Sequence, residues 1–356
     1  MKFSLITKPR HYEPRGYRMS NDKTDRRIAH YQFGKPEEVL RLENDQPRSS
    51  LGRDSVRVRL TRSMIHPADL QLVAAHYSPT VDAVPEGRVP GMEGVGVVEE
   101  AAPGALDGTG IEVGDRVAFL AESTWQSSLV LPAGSLVAIP DDITDDVASQ
   151  MLLNTITARL VLRVAQRTLG TRPSRIVLTA ASSSVGKLIS VLALREGIPL
   201  IRLVRSEASA ARLAALLEGG DIIATETEGW QDAVRSAAEG DIPLVIDGVG
   251  GEMVTESGWL LNQGGALISF GLLGKGSSDL TMYLPKSLTL RGASIGTWQT
   301  DTDPDDQARD LEVAVEIARS TPQVFEGSTV FELSDIRNAI DAVTAPTKQG
   351  NVLLSI

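Results

Sequence analysis

The chain of 356 residues contains no cysteine. Disulfides, thiolate catalysis and thiolate-bound zinc or iron–sulfur centres are therefore excluded. Its four histidines, His11, His30, His66 and His76, do not fall at a metal-ligand spacing. No apolar run approaches the roughly 18 residues that a membrane span requires, so no spanning helix is expected. Basic charge is scarce as well: the net charge is −11, which argues against nucleic acid or an acidic membrane surface as the main partner. What basic charge there is gathers at the start. Residues 1–30 hold eight Lys or Arg against Glu13, Asp22 and Asp25, a balance of +5 that leaves −16 for the remainder. This leader has no apolar centre and carries Pro9, Pro14 and three acids, which makes it a poor signal or transit peptide. Residues 1–26 are expected to be a disordered extension, with Met19 a candidate start, and the expected compartment is the cytoplasm.

Glycine is missing where a phosphate-binding turn usually has it. A strand from Arg175 to Thr179 runs into Ala180-Ala181-Ser182-Ser183-Ser184-Val185-Gly186, and Ala181, Ser183 and Gly186 fill the three glycine places of Gly-x-Gly-x-x-Gly. Small residues there let backbone N–H groups approach a pyrophosphate, and the following helix N-terminus adds partial positive charge. The surroundings strengthen the signal. Val185, Leu188, Ile189, Val191, Leu192 and Leu194 give a helix a broad apolar face, and Pro199 to Val204 reads as a buried parallel strand. Strand, crossover helix and strand within about 30 residues make the unit that a dinucleotide needs. The alternative is an ordinary strand-to-helix turn.

This unit sits mid-chain, behind a region of different pattern. Ser55 to Leu60, Gly94 to Val98 and Asp115 to Phe119 alternate with period two between Gly, Pro and Asp, as half-buried antiparallel strands of a small irregular barrel would. Ala148 to Gln166 then reads as helix. Strands are expected at 221–224, 243–247, 264–271 and 287–295, and helices at 207–217 and 230–238. Two helices, 305–319 and 334–343, and a closing strand at 351–356 complete the chain. The fold class is α/β.

Pro90-Gly91-Met92-Glu93-Gly94-Val95-Gly96, Gly114-Asp115-Arg116-Val117, Asp247-Gly248-Val249-Gly250-Gly251 and Ser269-Phe270-Gly271, in this order around the mid-chain loop, resemble the medium-chain dehydrogenase/reductase superfamily over residues 27–356. The resemblance implies a GroES-like barrel domain, 27–152 with 300–356, and a Rossmann domain, 153–299, with a cleft between them. Zinc members of that superfamily take ligands from places that here hold Ile65, Met92 and Leu153 or Asn154. An isobutyl or thioether group cannot stand in for imidazole or thiolate, so the resemblance points to the zinc-free branch, with no metal. Asn154-Thr155-Ile156-Thr157-Ala158, Ser123-Thr124-Trp125-Gln126, Leu203-Val204-Arg205 and Gly296-Thr297-Trp298 are similar to the 2-enoyl thioester reductases. Quinone oxidoreductases share the Pro-Gly-x-Glu-Gly stretch and are the alternative, with enone or alkenal reduction; a cofactor-binding protein with little turnover is the alternative of another class.

For thioester reduction, hydride to Cβ builds negative charge on the carbonyl oxygen and Cα, so a hydrogen-bond donor and a proton source are needed. A phenol can donate without first being charged. The resemblance places Tyr77, after Pro67-Ala68-Asp69, in that role, with Trp125 beside it in the catalytic set. His66 and Trp298 are assigned to the substrate pocket, although a bonded structural histidine and a core tryptophan are the bland readings. Asn154 and Thr157 are assigned to the nicotinamide end of the cofactor. Ala181, Ser183, Ser184, Val185 and Gly186 form the phosphate loop, and Gly248, Gly250, Phe270, Gly271 and Leu272 complete the cofactor set. The second strand ends Val204-Arg205-Ser206, where a 2′-phosphate calls for guanidinium and hydroxyl groups, so the expected cofactor is NADPH. Glu207 is assigned to the helix dipole. The expected partners are a small-molecule or acyl-thioester substrate, possibly delivered on an acyl carrier protein, and a second copy through edge strands near 264–270 and 287–295.

Overall fold

The computed structural model describes residues 25–76, 86–345, 348 and 350–356. Residues 1–24 of the expected leader, and Tyr77, lie outside the described residues. Two compact units are present, one ending at Leu153 and resumed by Ala314–Ile356, the other formed by Asn154–Val313. The division falls within the helix Pro304–Ser320, later than the boundary at residue 300 expected from sequence.

In the first unit the long strand Ser55–Met64 is the hub. It pairs antiparallel with Glu93–Ala101, Ser128–Pro132 and Val352–Ser355. Arg116–Leu120 and Val137–Ala138 continue the sheet on one side, and Thr329–Glu332 on the other. Inward positions of the hub, Val56, Val58 and Leu60, pack on Val98, Val117 and Phe119. Close strand spacing explains a glycine here: a Cβ on Gly96 would lie 2.1 Å from the Arg59 carbonyl oxygen. A separate antiparallel pair, Asp25–Ala29 with Arg41–Gln46, is joined by the Arg27–Glu43 ion pair at 2.7 Å. Its charged sequence hides the pairing, and its first strand starts at Asp25, inside the expected extension.

The second unit is a six-stranded, wholly parallel sheet. Its strands lie in the order Asp221–Ala224, Leu200–Val204, Ile176–Leu178, Leu244–Asp247, Ala266–Ser269 and Thr289–Gly292. Strand order reverses between Ile176–Leu178 and Leu244–Asp247, which makes the crevice beyond their carboxyl ends the place where such sheets bind ligands. The sequence expectation of two edge strands is corrected. Ala266–Ser269 is hydrogen-bonded on both sides, and only Thr289–Gly292 forms that edge.

The expected helix from Ala148 is also corrected. A short helix, Asp145–Ala148, is capped by Thr144; after a break the chain starts a new helix, Leu152–Leu169. The break reflects a remote acceptor, Glu93, that takes up the amides of Leu152 and Leu153.

Candidate active site

The loop expected to cradle phosphates leaves the carboxyl end of Ile176–Leu178. Ser183 caps the helix Ser184–Arg195, its hydroxyl accepting from the Gly186 amide at 3.1 Å. Gly186 is obligatory: a Cβ there would come within 2.4 Å of the Ala180 carbonyl oxygen and 2.9 Å of Ala181 Cα. Ala181 is buried beneath the turn, while Ser182 and Ser183 are exposed and Ser184 and Val185 partly so. Accessible amides at a helix N-terminus, over a close helix–strand contact, suit a pyrophosphate. Of the three glycine places, the one that sets this contact is therefore the one that keeps glycine. Next to Gly186, the Lys187 amine is buried, and desolvation lowers its pKa from 10.5 to about 8.

At the neighbouring strand end, Asp247 is fully buried and its carboxylate accepts from Thr179 Oγ1 at 2.8 Å, Ser269 Oγ at 2.9 Å, and the amides of Val249 at 3.1 Å and Gly250 at 2.9 Å. One side chain thus ties three adjacent strand ends to the Gly248–Gly251 turn. That turn nests against 270–274: a Cβ on Gly271 would meet the Gly248 carbonyl carbon at 2.1 Å, and one on Gly248 would meet the Phe270 ring at 2.7 Å. Gly248, Gly250, Phe270 and Gly271 are thereby brought together as expected, and Leu272 beside them is exposed. Sequence reasoning missed Asp247 itself; an acid closing the apolar run Leu244 to Ile246 was the available signal.

At the end of the second strand the Arg205 side chain is 64% exposed, 3.8 Å from Glu226. Ser206 caps the helix Glu207–Leu216, its hydroxyl also meeting Ser209 Oγ at 3.2 Å, and Arg212 donates to Ser209 at 3.0 Å. Glu207 lies in the helix first turn and accepts from Thr227. Exposed guanidinium groups and partly exposed hydroxyl groups thus share this corner.

In the first unit, the Pro-Gly-x-Glu-Gly stretch has a definite use for Gly91 and Glu93. Gly91 has φ +101° and presses on Thr124 and Trp125, leaving no room for a Cβ. Glu93 turns its carboxylate inward to His66 Nε2 at 3.0 Å. Asp69, at the start of the helix Pro67–Val73, accepts from the His66 amide at 2.8 Å. Burial pushes the Asp69 carboxyl up to about 6, against the pull of His66. Ser63 donates to the Glu93 carbonyl at 2.7 Å and meets Thr124 Oγ1 at 2.9 Å.

The other assigned residues are placed as follows. His66 is buried in that cluster. Trp125 is wholly buried among Ile28, Ile65, Val73 and Leu354, and its indole N–H has no partner among the described residues. Trp298 is also buried, with its N–H given to Asp310 at 2.8 Å; Arg163 reaches the same carboxylate at 2.7 Å, and Arg159 joins them. Asn154 and Thr157 are buried in the first turns of Leu152–Leu169. Among the described residues no group of three or more His, Asp or Glu is arranged to hold a metal ion, and no helix is long and apolar enough to cross a membrane.

Comparison with known proteins places this geometry. Residues 52–141 match the alcohol dehydrogenase GroES-like domain. The chain is 28% identical over 298 residues to the mitochondrial enoyl-acyl-carrier-protein reductase of Dictyostelium discoideum, spanning 80% of this chain and 82% of that protein. The solved quinone oxidoreductase of Pseudomonas syringae is 26% identical, with a TM-score of 0.76 over 93% of this chain and 100% of that one. The Escherichia coli quinone oxidoreductase complexed with NADPH has the same fold, with a TM-score of 0.76 at 21% identity over 93% of this chain and 100% of that one. The resemblance to the medium-chain dehydrogenase/reductase superfamily is borne out by a GroES-like barrel, a Rossmann sheet and likeness to an enoyl reductase and to quinone oxidoreductases.

Proposed function

We propose that this chain is an NADPH-dependent reductase of the carbon–carbon double bond in an α,β-unsaturated acyl thioester, working without a metal. The observation that carries this reading is the likeness to an enoyl-acyl-carrier-protein reductase over 80% of the chain. The geometry agrees with it. The Ala180–Gly186 turn brings a helix N-terminus close to the strand end, as a pyrophosphate site requires, and Arg205 with Ser206 supplies what a 2′-phosphate needs. Asn154 and Thr157 hold the nicotinamide end, Gly248, Gly250, Phe270, Gly271 and Leu272 shape the rest of that crevice, and the cofactor supplies hydride to Cβ.

The remaining task of the protein is to stabilise charge on the substrate carbonyl and return a proton to Cα. We assign the donor to Tyr77, a neutral phenol at physiological pH. Trp125 and His66 pack the catalytic segment, and Trp298, fixed by Asp310, bounds the acyl pocket. We place the enzyme in the cytoplasm, as a dimer of two copies joined along the edge strand Thr289–Gly292, where Leu290 is exposed. A monomer by light scattering would remove that interface.

Quinone reduction is the second reading, favoured by the Pseudomonas syringae structure. A single panel separates the two: crotonyl and longer enoyl thioesters on coenzyme A and on acyl carrier protein, simple enones, and quinones, each with NADPH. Turnover confined to quinones defeats the thioester assignment. Cofactor binding with no turnover on any of them defeats both.

A further inference from the structure

Glu93 opens the strand Glu93–Ala101 and is 0% exposed. Removing a carboxylate from water is costly unless hydrogen bonds replace its hydration, and here three do. Oε1 accepts the amides of Leu152 at 2.6 Å and Leu153 at 3.1 Å, and Oε2 meets His66 Nε2 at 3.0 Å. The two amides are the first of the helix Leu152–Leu169. An unpaired N-terminal amide needs an acceptor, ordinarily a Ser, Thr, Asp or Asn side chain at the cap. Gln150 and Met151 precede this helix, and the Gln150 side-chain oxygen accepts instead from Asn351. The cap thus comes from a distant strand.

A local cap comes from the residue just before its helix, whereas this one comes from a strand residue far away in sequence and fixes the amides of Leu152 and Leu153. Glu93 is itself held from two sides, by Ser63 at its carbonyl and by His66 at its carboxylate. His66 is held in turn, because its amide donates to Asp69 at 2.8 Å and its residue forms the N-cap of Pro67–Val73. Asn154 and Thr157 follow directly, within the next turn of the helix that Glu93 caps.

We propose that Glu93 and His66 are a positioning pair that sets Asn154 and Thr157 for the nicotinamide end of the cofactor. This rests on the cofactor reading given above. The adenosine end is bound by Arg205 and Ser206 and does not depend on the pair.

The test is made on the purified full chain, comparing NADPH with 2′,5′-ADP, which keeps the 2′-phosphate and lacks nicotinamide. Glu93→Gln retains a carbonyl acceptor for the helix amides but loses the charge and the second oxygen that meets His66. His66→Asn leaves the cap intact and removes the ring. Each variant is expected to weaken NADPH about tenfold, the loss typical of one charge-assisted hydrogen bond, with 2′,5′-ADP changed by less than about twofold. The double variant should be no weaker than the worse single one, because both act through one contact. Thermal melts confirm that each variant is folded; His66→Asn keeps the proposal testable if Glu93→Gln is not. Equal weakening of both ligands, unchanged NADPH affinity in a folded variant, or additive losses in the double variant would each overturn it. Wild-type protein that binds 2′,5′-ADP and not NADPH overturns it together with the assignment of Asn154 and Thr157.

Discussion

The two units combine close backbone approach at glycine and buried carboxylates in different proportion, the wound sheet around Asp247 and the barrel around Glu93 and Asp69. In the wound sheet the critical contacts are backbone against backbone, made possible by residues without a Cβ: Gly186 over Ala180, Gly271 over Gly248, Gly274 over Gly250. In the barrel unit the interior polar groups are side chains, with Glu93, His66, Asp69, Ser63 and Thr124 linked by hydrogen bonds in an otherwise apolar setting. The glycine contacts are governed by sterics and carry no titratable group. The side-chain cluster of the barrel is electrostatic and responds to protonation.

The sharpest way to break the backbone arrangement is Gly186→Val. The new side chain must displace the Ala180–Ala181 backbone, so NADPH affinity should fall by about a hundredfold or more, on the order of 3 kcal/mol, and calorimetric titration reads it directly. Tyr77→Phe comes next: removal of the proposed donor should lower kcat by about tenfold or more with NADPH affinity intact, and near-normal turnover would remove Tyr77 from the mechanism. Arg205→Ala should then cost roughly tenfold in NADPH affinity and leave NADH unchanged, the difference one guanidinium–phosphate contact makes. A wild-type preference for NADH would contradict the assignment of that corner.

The electrostatic side is tested by pH. The Asp69 carboxyl has a folded value of about 6, above its ordinary 3.8, chiefly because of burial. Its charged form is therefore disfavoured in the folded state. That penalty is absent below about pH 4, grows as pH rises towards 6 and persists above it, at on the order of 3 kcal/mol. Lowering the pH from 7 towards 5 should consequently relieve part of it, a stabilising contribution that Asp69→Asn abolishes. Denaturant melts across that range check the difference between wild type and variant. The smallest effect is expected at Ser183→Ala, which removes a single N-cap and should cost about 1 kcal/mol.

This contrast also explains what could be read in advance. Gly186 and the small residues at Ala181 and Ser183 were legible because a steric requirement leaves a residue type at a fixed spacing. The strand–helix alternation from Ile176 to Asp247 was legible for the same reason, since a buried parallel strand is a run of apolar residues. The Asp25–Ala29 strand was not, because a pair held by Arg27 and Glu43 shows no apolar alternation. Nor was the role of Glu93: within Gly-Met-Glu-Gly it reads as a turn residue, and its partners Leu152 and His66 are far away in sequence. Long-range hydrogen bonds leave no local period. The break before Leu152 was hidden for that reason too, and the helix was placed four residues early.

The most direct measurement is steady-state oxidation of NADPH with crotonyl thioester, run with the native chain in the presence of a strong chelator. Saturable turnover that yields the saturated acyl thioester and survives chelation is predicted. Turnover that is lost on chelation and restored by zinc, or NADPH that fails to bind at all, would contradict the account.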